Sequence, residues 1–188
     1  MPTSPINSDK LHSAAPGLSA KSARDGVEVR ATACKVEAIL GAEFVPKVIE
    51  IIRRATRSID IAAYTWKWYE HQASTAIQRL NYAIIEKARC GLPVRARFNY
   101  ECKDHSLSAE NTKTAQKLRR YGILTKHDGT AVMSHLKMII VDNEIAIIGS
   151  HNLTTRSVSQ NNETSVAIIG REAVKPYSDY YERLWKGN

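Results

Sequence analysis

The sequence predicts an α/β fold in which one mixed β-sheet is flanked by helices and a β-hairpin carries the chemistry. Three observations predict it. Short apolar runs of strand length alternate along the chain with longer segments whose apolar residues recur at helical spacing. Gly and Pro punctuate the ends of those segments, as at Gly91-Leu92-Pro93 and Gly122. Two apolar runs, Met138 to Val141 and Glu144 to Ile148, are separated only by Asp142-Asn143, a turn pair, and so read as a hairpin.

Taken in order, residues 1 to about 30 are rich in Ser, Ala, Pro and Gly and read as a flexible N-terminal arm, leaving 31–188 as a single catalytic domain. Val36 to Leu40 is a first strand. Phe44, Val48, Ile51, Ile52 and Ala55 then fall at helical spacing, with Pro46 tolerable in the first turn and Arg53, Arg54 and Arg57 at the end, where cations suit the dipole. Ser58 to Trp66 is a buried central strand, and Trp66, Trp68 and Tyr69 at its end, interleaved with Lys67, are candidates for an aromatic substrate rim. Gln72 to Cys90 is a helix stopped by Gly91, and Val94 to Asn99 a strand. Cys102, Asp104 and His105 in the following polar loop fit no common metal spacing. Ser108 is placed as the cap of a helix running to Tyr121, on which Lys113, Lys117 and Arg120 form one basic stripe. A solvated face explains such a stripe by default; beside a phosphate site it becomes a candidate for substrate binding. Ile123 to His127, the hairpin, Thr164 to Ile169 and a closing helix over Ala173 to Trp185 complete the alternation.

Composition narrows the function classes. With 188 residues and 43% apolar content, one domain with a sizeable core is expected. Lys and Arg number 27 against 19 Asp and Glu, a net charge of +8, which favours a polyanionic partner such as nucleic acid or an acidic membrane face. Three cysteines, Cys34, Cys90 and Cys102, without a CxxC, suggest neither a disulfide framework nor a zinc site, and point to a reducing, cytoplasmic setting. No apolar run approaches the ~20 residues of a membrane span, and the N-terminus lacks the apolar core of a secretory signal.

The hairpin concentrates the polar groups. With a two-residue turn at Asp142-Asn143 or at Asn143-Glu144, Ser150 and Asn152 share the strand face of His135 and Lys137; only an odd-length loop would separate them. An imidazole, an ammonium, a hydroxyl and an amide on one face are costly in a core and useful around an anion. His135-x-Lys137, Asp142, Gly149-Ser150-x-Asn152 and Glu163 together resemble the HxK…D…GSxN motif of the phospholipase D superfamily, and the chain is most similar to its single-motif nucleases, of the Nuc and Zucchini types. The resemblance extends from about Val36 to Trp185. It implies a phospholipase D-like layered fold and a metal-independent phosphodiesterase, an endonuclease acting on the backbone of DNA or RNA.

In that reading His135 is the nucleophile and forms a phosphohistidine. Lys137 and Asn152 bind non-bridging oxygens, Ser150 adds a hydrogen bond, and Glu163 fixes the His135 tautomer. Asp142, at the turn, braces the hairpin or a neighbouring group. His151 faces away and is given no role. No second HxK occurs in the chain, so the resemblance implies a homodimer in which two His135 residues meet, one attacking and one protonating the leaving group. No metal or other cofactor is called for. Two other classes stay open: a phospholipid phosphodiesterase or transphosphatidylase, with membrane lipid as partner, and a non-catalytic nucleic-acid-binding module.

Overall fold

The computed structural model describes residues 34–100, 105–129 and 132–187. The expected arm, Cys102 and Asp104 lie outside them. The elements run β1 (Lys35–Leu40), a 3-10 turn (Gly41–Glu43), α1 (Phe44–Arg54), β2 (Ile59–Ala63), α2 (Ala76–Arg89), β3 (Val94–Phe98), α3 (His105–Arg119) and β4 (Leu124–His127). They continue with β5 (Lys137–Val141), β6 (Ile145–Gly149), α4 (Thr155–Ser159), β7 (Thr164–Ile169) and α5 (Arg171–Lys186).

The seven strands form one mixed sheet in the order β1-β7-β6-β5-β2-β3-β4. Strands β2, β3 and β4 are mutually parallel, and every other pairing is antiparallel. This topology brings the carboxyl ends of β1, β2, β3, β4 and β6 and the amino ends of β5 and β7 to one edge. The loops after β2, before β5, after β6 and before β7 therefore share that edge although they are far apart in sequence.

Alternation along the strands fills two layers. Ile59, Ile61 and Ala63 of β2, Val94, Ala96 and Phe98 of β3, and Ile139 and Val141 of β5 pack with Val48, Ile52, Ile77, Leu80, Ile84 and Leu118 of α1, α2 and α3. Ala62, Met138, Ile140 and Ala146 face the other way, against Val174 and Tyr181 of α5. All five residues of β2 are buried, as a central strand covered on both faces requires. The glycines expected to stop α2 and α3, Gly91 and Gly122, have φ of 85° and 81°, the left-handed region that a side chain disfavours.

Three expectations are corrected. First, Asp142 and Asn143 are the turn residues, with φ of 57° and 55°, and the Glu144 N–H donates to the Val141 carbonyl at 3.0 Å. The ladder nevertheless pairs Val141 with Ile145, so Glu144 is an extra residue and the loop is odd. The cause is lateral. The Glu144 carbonyl accepts from Gly170 N at 2.8 Å, and its carboxylate accepts from Arg57 at 2.7 Å and Arg171 at 2.8 Å. Continuing this register sets Lys137 opposite Gly149 and gives Ser150 the opposite parity. Second, Ser108 is buried inside α3, which is described from His105, instead of capping it. Third, Arg120 lies beyond the end of α3, in the turn before β4. Helix α4 was not anticipated; Thr154 caps it, its side chain accepting from Ser157 N.

Candidate active site

His135 and Lys137 lie where the chain enters β5. Lys137 Nζ is 3.2 Å from His135 Nε2 and donates to the His135 carbonyl at 3.1 Å. A Lys137 ammonium has no lone pair, so in this contact Nε2 stands as the acceptor. Both groups lie against Tyr64, the residue after β2. The His135 ring meets it edge-on at 4.4 Å between centroids, and Lys137 Nζ is 4.8 Å from its centroid. The Tyr64 N–H donates to the Leu136 carbonyl at 2.7 Å, which fixes the ring beside the pair. Burial lowers the Lys137 pKa against the opposing pull of the Glu163 carboxylate. His135 itself is exposed.

Ser150 and Asn152 reach the same edge by leaving the strand, not by alternating along it. The Ser150 hydroxyl donates to the Thr164 carbonyl at 3.3 Å and accepts from Thr164 N at 3.1 Å. The Asn152 N–H donates to Ser157 Oγ at 2.8 Å, and that hydroxyl donates to Glu163 Oε1 at 3.0 Å. Leu153 N donates to the Thr65 carbonyl at 3.0 Å, tying the segment to the end of β2. Burial acts to raise the Glu163 carboxyl, but the nearby Ser150 hydroxyl and the hydrogen bonds from Asn161 and Ser157 outweigh it and hold the pKa below the ordinary range. No hydrogen bond joins Glu163 to His135, so the expected triad-like contact is not formed within one chain. Glu163 instead braces Ser157, and through it Asn152, and sits within electrostatic reach of Lys137.

Gly149 explains itself sterically. A Cβ there would run into the Thr164 carbonyl and the Ser165 backbone, so β6 approaches β7 too closely for any side chain. His151 is a structural histidine. It is fully buried, stacks on Phe44 at 4.4 Å, and its nitrogens bond Ser165 Oγ at 2.8 Å and the Gly41 carbonyl at 3.0 Å. Burial lowers its pKa, so the ring is neutral, and Nε2–H donates to Gly41 while Nδ1 accepts from Ser165.

Asp142 lies at the far end of the hairpin, about 16 Å along the chain from Lys137 at ~3.3 Å per residue. Its carboxylate accepts from the backbone N–H groups of Thr56, Arg57 and Ser58 at 2.7 to 3.2 Å. It therefore braces the loop between α1 and β2 and does not belong with the reacting groups.

The aromatic rim is also corrected. Trp66 is fully buried, with Nε1 donating to Asn81 at 2.8 Å, and Trp68 is buried against Tyr82. Tyr69 is half-buried, and its hydroxyl accepts from Thr155 N at 3.0 Å. These residues anchor the loop after β2 and present no stacking platform. Tyr64, read only as part of a buried strand, is the aromatic ring at the site. Its signal was its place at the carboxyl end of the central strand. The basic stripe is compensated: Lys117 pairs with Glu70, and Lys113 lies 4.0 Å from the same carboxylate. Among the described residues no group of three or more His, Cys, Asp or Glu is placed to hold a metal ion.

A mixed sheet with a histidine–lysine pair and a Gly-Ser-x-Asn segment meeting at one edge defines a protein of the phospholipase D-like fold class. Residues 48–185 match the family described as "Cardiolipin synthase, PLD-like domain". The chain belongs to this phospholipase D-like family, and carries one His-x-Lys motif as the single-motif branch does. The mitochondrial cardiolipin hydrolase of Xenopus tropicalis is 25% identical over 140 residues, which cover 74% of this chain and 60% of the relative. The match to the Chlamydomonas reinhardtii protein of the same name covers 56% of the relative, so the chain spans a little over half the length of these relatives. Nuc from Salmonella typhimurium, a phospholipase D family member, superposes with a TM-score of 0.68 at 20% identity, covering 82% of this chain and 95% of Nuc.

Proposed function

We propose that this chain is a phosphodiesterase that hydrolyses the nucleic-acid backbone through a phosphohistidine at His135, with two copies sharing the site. The observation that carries the reading is the His135–Lys137 pair. Nε2 bears the lone pair and is presented at an exposed edge, beside an ammonium able to neutralise a phosphate oxygen.

In the first step His135 Nε2 bonds to phosphorus, and the bond from phosphorus to the leaving oxygen breaks. The partner's His135 gives that oxygen its proton. In the second step the same partner imidazole takes a proton from water, whose oxygen displaces His135 from phosphorus. Lys137 and Asn152 hold the non-bridging oxygens. The Asn152 amide offers its Nδ2–H groups to phosphate, while its Oδ1 is buried without a hydrogen-bond partner. Lys137 from each copy supplies positive charge, so no metal enters the scheme. The net charge of +8 supports a polyanionic substrate.

One observation favours a second reading, a phospholipid phosphodiesterase. Beside His135, on the α5 side, lies a cavity of about 300 Å³ lined by Val132, Met133, Leu136, Tyr180 and Leu184, with Arg97, Asp128 and Ser134 as its polar side. Val132 is 76% exposed and Met133 56%, side chains that a lipid surface would cover. The mitochondrial cardiolipin hydrolases among the relatives point the same way.

Incubation with single- and double-stranded DNA, RNA and phospholipid vesicles, with and without excess EDTA, separates the readings. Nucleic-acid cleavage is expected to persist in EDTA and to vanish in His135→Ala. Cleavage abolished by EDTA would remove the mechanism, and turnover confined to vesicles would select the lipid reading.

A further inference from the structure

The segment that carries His135 has no strand partner until β5 begins at Lys137. Side chains from the ends of the neighbouring strands hold it instead. Asn99, the residue after β3, is fully buried, and its Oδ1 accepts from the Ser134 N–H at 2.9 Å. Asn99 is itself fixed. Its N–H donates to the Ala63 carbonyl at 3.0 Å, and its own carbonyl accepts from Asn111 Nδ2 at 2.9 Å. The fully buried Asn111 amide also donates to the Tyr64 carbonyl at 2.8 Å and accepts from Trp66 N at 2.9 Å. On the other side of His135, the Leu136 carbonyl is held by Tyr64 N.

His135 thus sits between two tethered residues. Ser134 is held from the end of β3, and Leu136 from the end of β2. Interior amides and carboxylates are retained at the cost of desolvation, and each loses heavily when its partner goes. Here the ties converge on the residue next to the nucleophile, not on the core.

We propose that Asn99 is a positioning residue for His135, setting the backbone from which the imidazole meets Lys137. The catalytic part of the proposal rests on His135 as nucleophile; the tie itself does not. A displacement of about 1 Å at a reacting group costs on the order of 100-fold in rate, so a polar tie one residue away is felt in turnover.

The test compares Asn99→Leu, similar in volume but without the acceptor, with Asn99→Asp, which keeps it. Each is assayed for nucleic-acid cleavage, thermal unfolding and amide exchange at Ser134. In Asn99→Leu, kcat is expected to fall about 10- to 100-fold, with KM within about threefold. Asn99→Asp should recover most of that loss at the same folded fraction. In the unaltered protein the Ser134 amide should exchange about 100-fold more slowly than an unprotected loop amide, and Asn99→Leu should release it. Unchanged kcat in folded Asn99→Leu, or a kcat for Asn99→Asp as low as for Asn99→Leu, would overturn the proposal. If Asn99→Leu does not fold, exchange in the unaltered protein decides, and a freely exchanging Ser134 amide overturns the tie. If the unaltered protein cleaves nothing, the functional reading fails, and exchange at Ser134 still judges the tie separately.

Discussion

Tyr64 touches both groups of the proposed reaction, and its ring does so without a charge of its own. An aromatic face beside an ammonium is worth about 0.5 to 2 kcal/mol, and here it competes with substrate phosphate for the same Lys137. The ring also limits how far the His135 imidazole can turn. Tyr64→Ala is expected to lower kcat by about tenfold, equivalent to ~1.4 kcal/mol, and Tyr64→Phe to restore it, because both contacts use the ring and not the hydroxyl. Steady-state kinetics of the two variants checks this, and equal losses in both would show that the hydroxyl matters instead. His135, Lys137, Asn152 and Ser150 were legible because their spacing is a chemical signature. Tyr64 was not, since a tyrosine after an apolar strand looks the same whether it faces the core or a site. The roles of Asn81, Asn99 and Asn111 were equally silent, because an asparagine reveals its partners only once the chain is folded.

At the scale of the element, the hairpin shows where sequence reasoning stopped. The turn residues were correct, yet one inserted residue, Glu144, moved the register. Arg57 and Arg171, distant in sequence, hold that residue outward, and no local pattern encodes such a pull. The same turn carries a pH-dependent contribution to stability. Burial acts to raise the Asp142 carboxyl, but the N–H groups of Ser58, Thr56 and Arg57 outweigh it and lower its pKa below 3.8. A carboxylate with a depressed folded-state pKa adds stability at pH above its unfolded value, and that stability is lost as pH falls through the folded value. Asp142→Ala is expected to cost about 1 to 2 kcal/mol at pH 7, the scale of a lost cap. The cost should shrink once the pH is well below 3.8. Urea unfolding of both proteins at neutral and acidic pH measures it. A difference independent of pH would mean that the hydrogen bonds do not need the charge.

For the whole molecule, the alternation of strand and helix was enough to anticipate a mixed sheet between helical layers, and the order of the elements held from β1 to α5 apart from the unanticipated α4. What could not be read was which loops become neighbours, because that depends on the order β1-β7-β6-β5-β2-β3-β4 and not on adjacency in sequence. The shared-site mechanism adds a prediction at this scale. If each site needs the imidazoles of two chains of 21.0 kDa, light scattering should report twice that mass. Refolding an equal mixture of native and His135→Ala chains should leave about a quarter of the activity, since only native pairs function. Half the activity would mean that each copy works alone.

The two ends of the hairpin have different work. One presents the imidazole and the ammonium, and the other is a knot of Asp142, Glu144, Arg57 and Arg171 with no side chain in common with it. Heat tolerance can thus be engineered at the knot while turnover is left alone, and a surface or label attached there would leave the working rim open to a long polymer.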